Sequence, residues 1–211
     1  MVPSKSNCFT IRTVFVTLAI VVLLSCNRKE SQPQPTNPAT LVFSVDTVLV
    51  GAAQRDTTLG LLFAPPRGWK RLDERLLRRA EAEALKRKAA QASPGDVRVY
   101  YGYIDPETGS VITIARLADF DTSNVSQTIQ RYQDWALQVD SSATMKSTVF
   151  YHHGMKVHQL LTLSTMSVSF TLVFSSPRLD RPVRFDFVFP SEVYTRFART
   201  IESVLGSVEL L

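Results

Sequence analysis

The sequence predicts an α+β domain, an antiparallel β-sheet flanked by helices on both faces (an αβα sandwich), covering residues 41–211 behind an N-terminal export segment. Three observations carry that expectation. Runs of alternating β-branched and aromatic residues recur along the body, separated by short stretches of Pro, Gly, Asp and Ser, and strands joined by loops this short pair antiparallel. Three other stretches repeat apolar residues at helical spacing. The composition, 45% hydrophobic with 8 Gly, 11 Pro and 2 Cys in 211 residues, is that of a globular chain and excludes disordered, collagen-like and disulfide-stapled classes.

Residues 1–25 come out of the fold first. Lys5 and Arg12 precede an apolar run over residues 14–24 that only Thr17 interrupts. The run falls well short of the roughly 20 residues needed to span a bilayer as a helix, so it reads as the core of a signal peptide. Its end, Leu23-Leu24-Ser25-Cys26, resembles the lipobox of bacterial lipoproteins. The resemblance implies that lipid joins the Cys26 sulfur and that signal peptidase II cuts between Ser25 and Cys26. A thiol is the side chain that readily becomes a stable thioether, and a small residue before it lets the peptidase reach the bond. Asn27 stands where an Asp would favour inner-membrane retention, so the resemblance points to the outer membrane in a cell that has one. The alternative is an incidental thiol after an ordinary signal peptide.

With Cys8 removed and Cys26 lipidated, residues 27–211 contain no thiol. Disulfides, thiol nucleophiles, iron–sulfur clusters and Cys-based zinc sites are thereby excluded from the mature body. Lys5 and Arg12 also leave with the signal, so 22 basic residues face 19 acidic ones. A net charge of +3 gives no reason to expect nucleic acid as a partner. Residues 27–40 (NRKESQPQPTNPAT) hold three prolines and no large apolar side chain, and read as a stiff tether reaching on the order of 40 Å from the lipid. One domain follows, with no internal repeat.

Along that domain, residues 41–50 and 57–64 have strand composition, the second stopping at a turn over residues 65–69. The spacing then predicts a helix over 72–92, rich in strong helix formers and closed by Ser93-Pro94-Gly95, with a thin apolar stripe at Leu72, Leu76, Ala80 and Ala84. Strands over 96–104 and 110–118 flank a hairpin loop with Pro106 early and Gly109 late. A second helix is expected over 123–139, where Val125, Ile129, Tyr132, Ala136 and Val139 share one face. Strands over 146–153 and 156–164 bracket Gly154-Met155 as a two-residue turn, and 167–175 and 183–189 form a further pair. Ser191 can cap a third helix whose Val193, Phe197, Ile201 and Val204 face inward and which ends at Gly206; a short strand over 207–211 closes the chain.

This order of elements resembles a known family. A strand running into Pro66-Arg67-Gly68-Trp69, a hairpin, an amphipathic helix with Tyr132 and Trp135, a β-meander and a terminal helix reading Arg199-Thr200-Ile201-Glu202-Ser203 before Ser207-Val208 looks like the PsbP-like fold. That family includes the PsbP subunit of photosystem II, the Ran-binding Mog proteins and bacterial DcrB-like lipoproteins. The resemblance covers most of residues 41–211 and implies the layered sheet with helices. It implies neither photosynthesis nor Ran binding, because one fold serves many functions.

The chemical motifs are few. The chain has no Gly-x-Ser-x-Gly elbow, phosphate loop, dinucleotide fingerprint or His-Glu-x-x-His, so no catalytic residue, metal or cofactor is expected. His152, His153 and His158 form the most chemical-looking cluster. With Gly154-Met155 as the turn, His153 and His158 lie diagonally on one face, but Lys156 beside them repels a cation and no carboxylate is near in sequence, which favours a solvated hairpin tip. Asp119 to Asn124 spaces oxygens like the start of a calcium loop, yet Asn124 and Gln130 stand where Gly and Glu are required, and helix capping explains the segment more simply. Trp69 either lines a groove or packs over a helix.

The first helix carries the clearest surface signal. Glu74 and Arg78, Arg79 and Glu83, and Glu83 and Arg87 are i,i+4 pairs, as on any solvated helix. The basic excess at Arg75, Arg78, Arg79, Lys86, Arg87 and Lys88 also suits contact with an acidic envelope protein or anionic headgroups, with Arg75, Arg78, Arg79, Arg87 and Lys88 as the expected contacts. The expected protein is a non-enzymatic, lipid-anchored component of the bacterial cell envelope. The alternative is a small-ligand carrier or a hydrolase, which paired carboxylates such as Asp186 and Glu192 would support.

Overall fold

The computed structural model describes residues 38–79, 81–82, 97–117, 127, 130, 133–134 and 143–211. The expected signal segment, the cleavage site at Ser25 and Cys26, the 119–124 loop and most of the 123–139 helix lie outside them.

Two antiparallel sheets organise the chain. β3 (Lys70–Arg71), β4 (Val97–Ile104), β5 (Val111–Leu117), β6 (Thr144–His152), β7 (Met155–Leu163), β8 (Ser167–Ser175) and β9 (Val183–Pro190) form the larger sheet, in the order β3-β4-β5-β9-β8-β7-β6. β1 (Gln54–Asp56), β2 (Leu61–Phe63) and β10 (Glu209–Leu210) form the smaller, in the order β1-β2-β10. β9 inserts between β5 and β8, so the strand latest in the large sheet joins two hairpin units that are separate in sequence.

β9 reads Val-Arg-Phe-Asp-Phe-Val-Phe-Pro with alternating burial, so Val183, Phe185, Phe187 and Phe189 all point to one side. There they meet Ile112 and Ile114 of β5, Leu172 and Phe174 of β8, and Met155 and Val157 of β7. Phe63 of the small sheet stands edge-on to Phe185 with ring centroids 5.9 Å apart. Ile201, Val204 and Leu205 of the C-terminal helix, Ala198–Gly206, complete this core.

Several expectations need correction. Residues 41–50 are not a strand. The bridges here are isolated ones, Thr40 just before the segment with Tyr151 and Val50 at its end with Pro66. Residues 57–64 are not one strand either: 57–60 are the turn of a hairpin whose arms are β1 and β2. Ser191 does not cap the terminal helix. Its hydroxyl donates to the Thr165 carbonyl, and the helix begins as a 3-10 turn, Tyr194–Phe197. The inward face is nonetheless the expected one, with Ile201 and Val204 buried.

Residues 39–49 form a strap across the large sheet and the C-terminal helix. Leu41 N–H donates to Tyr151 O and Tyr151 N–H donates to Ala39 O, both at 2.8 Å, covering one end of the β6 edge. Asp46 N–H donates to the buried Ser203 hydroxyl at 3.1 Å. Phe43 packs edge-on against Phe150 and His152.

His152, fully buried, is the fastener. Its Nδ1 lies 3.0 Å from Leu41 O and its Nε2 lies 2.9 Å from Leu205 O. Carbonyl oxygens only accept, so a neutral ring donates to one of them and only the imidazolium donates to both. Burial pulls its pKa down, aided by His153, while the two carbonyls and Glu209 act upward.

Gly206 lets the strap lie this close. It is helical, not the left-handed cap its position suggested, and a Cβ there would stand 2.7 Å from Phe43 O. Gly206→Ala is therefore expected to cost about 1–3 kcal/mol through displaced backbone, despite the better helix propensity of Ala. Denaturant unfolding should show the loss, and limited proteolysis should cut residues 39–49 before the sheet; an unchanged midpoint and cleavage pattern would refute the close approach.

Candidate functional site

The first helix is anchored at its start by three local contacts. The Asp73 carboxylate accepts from Leu76 N–H at 2.8 Å, an N-terminal cap, and residues 74–79 and 81–82 are helical. Leu72 N–H donates to Gly102 O at 2.8 Å. Leu72 and Leu77 occupy the space that a Cβ on Gly102 would need, their methyls each 2.8 Å from it, so a side chain at 102 would require both leucines to shift.

A side-chain pair does the remaining docking. β3 pairs with β4 only at Tyr103 and Ile104, which leaves the outward backbone of Val99 without a strand neighbour. The register also shifts between Val99 and Tyr101. Glu81 accepts from Val99 N–H, Arg78 Nη2 donates to Val99 O at 3.0 Å, and Arg78 and Glu81 are themselves ion-paired. Together the two side chains imitate the missing strand. Glu74 approaches Arg78 at 3.8 Å.

The basic residues named from the sequence thus separate. Arg78 is committed to the sheet edge, whereas Arg75 and Arg79 are exposed. Arg87 and Lys88 lie outside the described residues. Two further arginines, one just before the helix and one on β4, come to the same place: Arg71 lies over the Tyr101 ring at 4.8 Å and Arg98 over the Tyr100 ring at 5.4 Å. With Asp73 and Glu74 they border a cleft of about 520 Å³. No periodicity links positions 71, 78 and 98, so sequence reading had no signal for it. Charges of both signs line the cleft, which suits a polar or zwitterionic surface more than a bare phosphate.

At the cleft's inner wall the Tyr101 hydroxyl donates to Asp56 Oδ2 at 2.7 Å. Burial first, and then the Asp56 carboxylate, push this phenol up to about 12, so it remains a donor at any physiological pH.

The histidine hairpin differs from expectation. The turn residues are His153 and Gly154, both at positive φ (45° and 75°), which places the turn one residue early. Tyr151 pairs with Lys156, and His158 pairs with Val149 instead of Tyr151. The cluster is therefore not a solvated tip: His153 alone is exposed, while His152 and His158 are buried. Among the described residues no three of His, Cys, Asp or Glu gather as a metal site would need.

Trp69 packs edge-on against Phe197 and Phe189, the core role of its two expected alternatives. Asp186 accepts from Thr171 and lies 2.7 Å from Arg184 Nε. Glu192 is exposed beyond the end of β9, and the four strand steps from Asp186 to Pro190 alone span about 13 Å, so these carboxylates are not a pair.

The chain is a mixed α/β protein dominated by antiparallel sheets, and its fold is PsbP-like. The solution structure of cyanobacterial PsbP (CyanoP) from Synechocystis sp. PCC 6803 matches it with a TM-score of 0.50 over 80% of this chain and 98% of that one, at 14% identity. At that identity the likeness concerns the fold alone. No family model matches the chain, and no curated protein does.

His158 supplies a pH test. Its Nε2 has no hydrogen-bond partner among the described residues, and burial, then Lys156, hold its pKa down at about 4. The unfolded chain, titrating near 6.5, binds the proton first, so stability is full above pH 6.5 and falls as pH drops toward 4, by about 3 kcal/mol from this group. His158→Leu should flatten that slope in urea unfolding between pH 4 and 7. A slope as steep as the parent's would show that His158 is not its source.

Proposed function

We propose that the protein is a lipid-anchored component of the bacterial cell envelope that works by binding, not catalysis, and that the basic helix beginning at Leu72 is its contact surface. Cys26, at the end of an apolar run bearing the marks of a lipobox, carries the anchor in this reading, and residues 27–38 are the tether. In this reading the domain is an αβα sandwich, and the placement of the first helix supports it. Tyr103 and Ile112 pair on the buried face, so the neighbouring Gly102, against which Leu72 and Leu77 lie, belongs to the face away from the C-terminal helix.

One observation carries the binding role. Arg78 and Glu81 hold the helix to β4 through Val99, so Arg75 and Arg79 are presented from a fixed element. A preordered cationic face captures an acidic partner with a smaller ordering cost, and adds association rate and salt sensitivity. The cleft beneath it favours a second reading, a carrier of a small polar ligand, in which Arg71 and Arg98 would be the contacts.

Two experiments test these roles. Cells fed a clickable fatty acid should label the parent and not Cys26→Ala, and label on the variant would end the anchor assignment. Arg75, Arg79, Arg87 and Lys88 changed together to Glu, with Arg78 kept, should lose the crosslinked envelope partner and its salt dependence while remaining folded. Recovery of the same partner with the same salt dependence would sink the contact. Loss of binding in Arg71→Ala/Arg98→Ala alone would favour the cleft.

A further inference from the structure

Eight large hydrophobic side chains are exposed among the described residues, and five of them lie along the strap or on the strand residue paired with it: Leu41, Val42, Val45, Val48 and Tyr151. Four lie on the strap, and Tyr151 is the strand residue whose backbone bonds to it on both sides. Single exposed apolar residues are ordinary, but a cluster of this kind marks a contact surface. Val42 and Val48 are 83% and 70% exposed.

These side chains do not lie on a loose loop that can fold them away. Their backbone is fixed by the His152 contact to Leu41, by Asp46 N–H on Ser203, and by the close passage of Phe43 over Gly206. Val48 stands at a tight turn, where Leu49 N–H donates to Asp46 O at 2.9 Å and Val48 N–H donates to the Asp46 carboxylate at 3.0 Å. Two guanidiniums flank that turn. Arg67 Nη2 donates to Thr47 O at 2.8 Å, and Arg199, 80% exposed, reaches Asp46 at 3.3 Å.

We propose that the strap is a second, non-covalent membrane contact: an anionic lipid surface receives Val42 and Val48 at its headgroup–acyl boundary, with Arg67 and Arg199 facing the headgroup phosphates. This rests on the lipid-anchor reading of Cys26. The argument for lipid as the occupant is the course of the chain and the charge of the rim. Cys26 lies twelve positions before Pro38, so the strap is the first part of the domain that the tether presents to the membrane. A tether of about 40 Å holds the patch at an effective concentration on the order of millimolar, so a contact of modest affinity is enough to orient the domain. Cationic side chains beside apolar ones are the usual composition of a surface that rests on anionic lipid. Strap side down, the first helix on the opposite face would point into the aqueous compartment, where a protein partner is.

The test uses the mature full-length chain, in which a lipidated Cys26 has no free thiol, so that Val42→Cys, Val48→Cys or Met166→Cys supplies the single site for an environment-sensitive nitrobenzoxadiazole label. The protein is bound to phosphatidylcholine vesicles with or without phosphatidylglycerol, through its own lipid. If the chain carries no lipid, a hexahistidine tag at residue 26 with Cys26→Ser, bound to a nickel-chelating lipid, replaces it, so that failure of the anchor reading and failure of this one are separable. Emission at 42 and 48 should shift to the blue and rise roughly twofold on anionic vesicles, with spin-labelled lipid quenching it, while emission at 166 stays as in solution. Arg67→Glu with Arg199→Glu should abolish the dependence on phosphatidylglycerol. Unchanged emission at 42 and 48 on vesicles overturns the proposal. So does a shift that appears without vesicles and grows with protein concentration, which would assign the patch to a second copy of the chain.

Discussion

The insertion of β9 between β5 and β8 is the constraint on which the rest of the structure depends. A single strand with three alternate phenylalanines, Phe185, Phe187 and Phe189, supplies the middle of the apolar face and hydrogen-bonds two hairpin units that have no direct contact through sequence. Each aromatic ring buried there removes a large apolar area from water, and the ring pairs with Phe63, Phe174 and Phe197 are edge-on or stacked at 5.2–5.9 Å. The other parity of the same strand, Arg184 and Asp186, fixes the polar pattern of the opposite face. Register in this strand therefore decides which side receives the small sheet and C-terminal helix, and a slip by one residue would turn three phenylalanines away from their core.

The two borders of the large sheet are finished by different means. Where β3 is too short to cover β4, the ion-paired Arg78 and Glu81 take the places of a neighbouring strand's amide and carbonyl, respectively. Where β6 ends at the other border, the strap supplies a true backbone partner to Tyr151 and is held by a buried imidazole between two carbonyls. Both devices satisfy edge groups that would otherwise remain unpaired, and both bind a flanking segment to the sheet. The surfaces with recognition character grow out of these repairs. An exposed basic helix adjoins one, and an exposed apolar strap with an arginine rim adjoins the other.

The sequence alone determined the segments whose information is local. Strands Val97–Ile104, Val111–Leu117, Ser167–Ser175 and Val183–Pro190 fall within a residue of their expected ranges, because alternation, β-branched content and the Asp105-to-Gly109 loop are all read within ten residues. The inward face of the terminal helix was legible for the same reason. So was the order of elements that resembles the PsbP-like fold, which the solution structure of the cyanobacterial protein bears out as a fold.

Only the tertiary structure decided what residues 39–64 do. Their β-branched content marks them as extended, but whether an extended segment pairs depends on which edge is free and which helix lies below. Here Gly206 and His152, more than a hundred positions away, turn 39–49 into a strap. The hairpin at residues 54–63 became visible only with β10 as its third strand. The histidine turn moved one residue because His153 accepts a positive φ, which brings Phe150 opposite Val157 and His152 opposite Met155 in the core. Arg78 likewise looked like any other charge on a solvated helix until the bulge at Val99 stood beside it. Except at the histidine turn, the deciding partner is remote in sequence, and pairing across such separations leaves no period in the chain for local reading to detect.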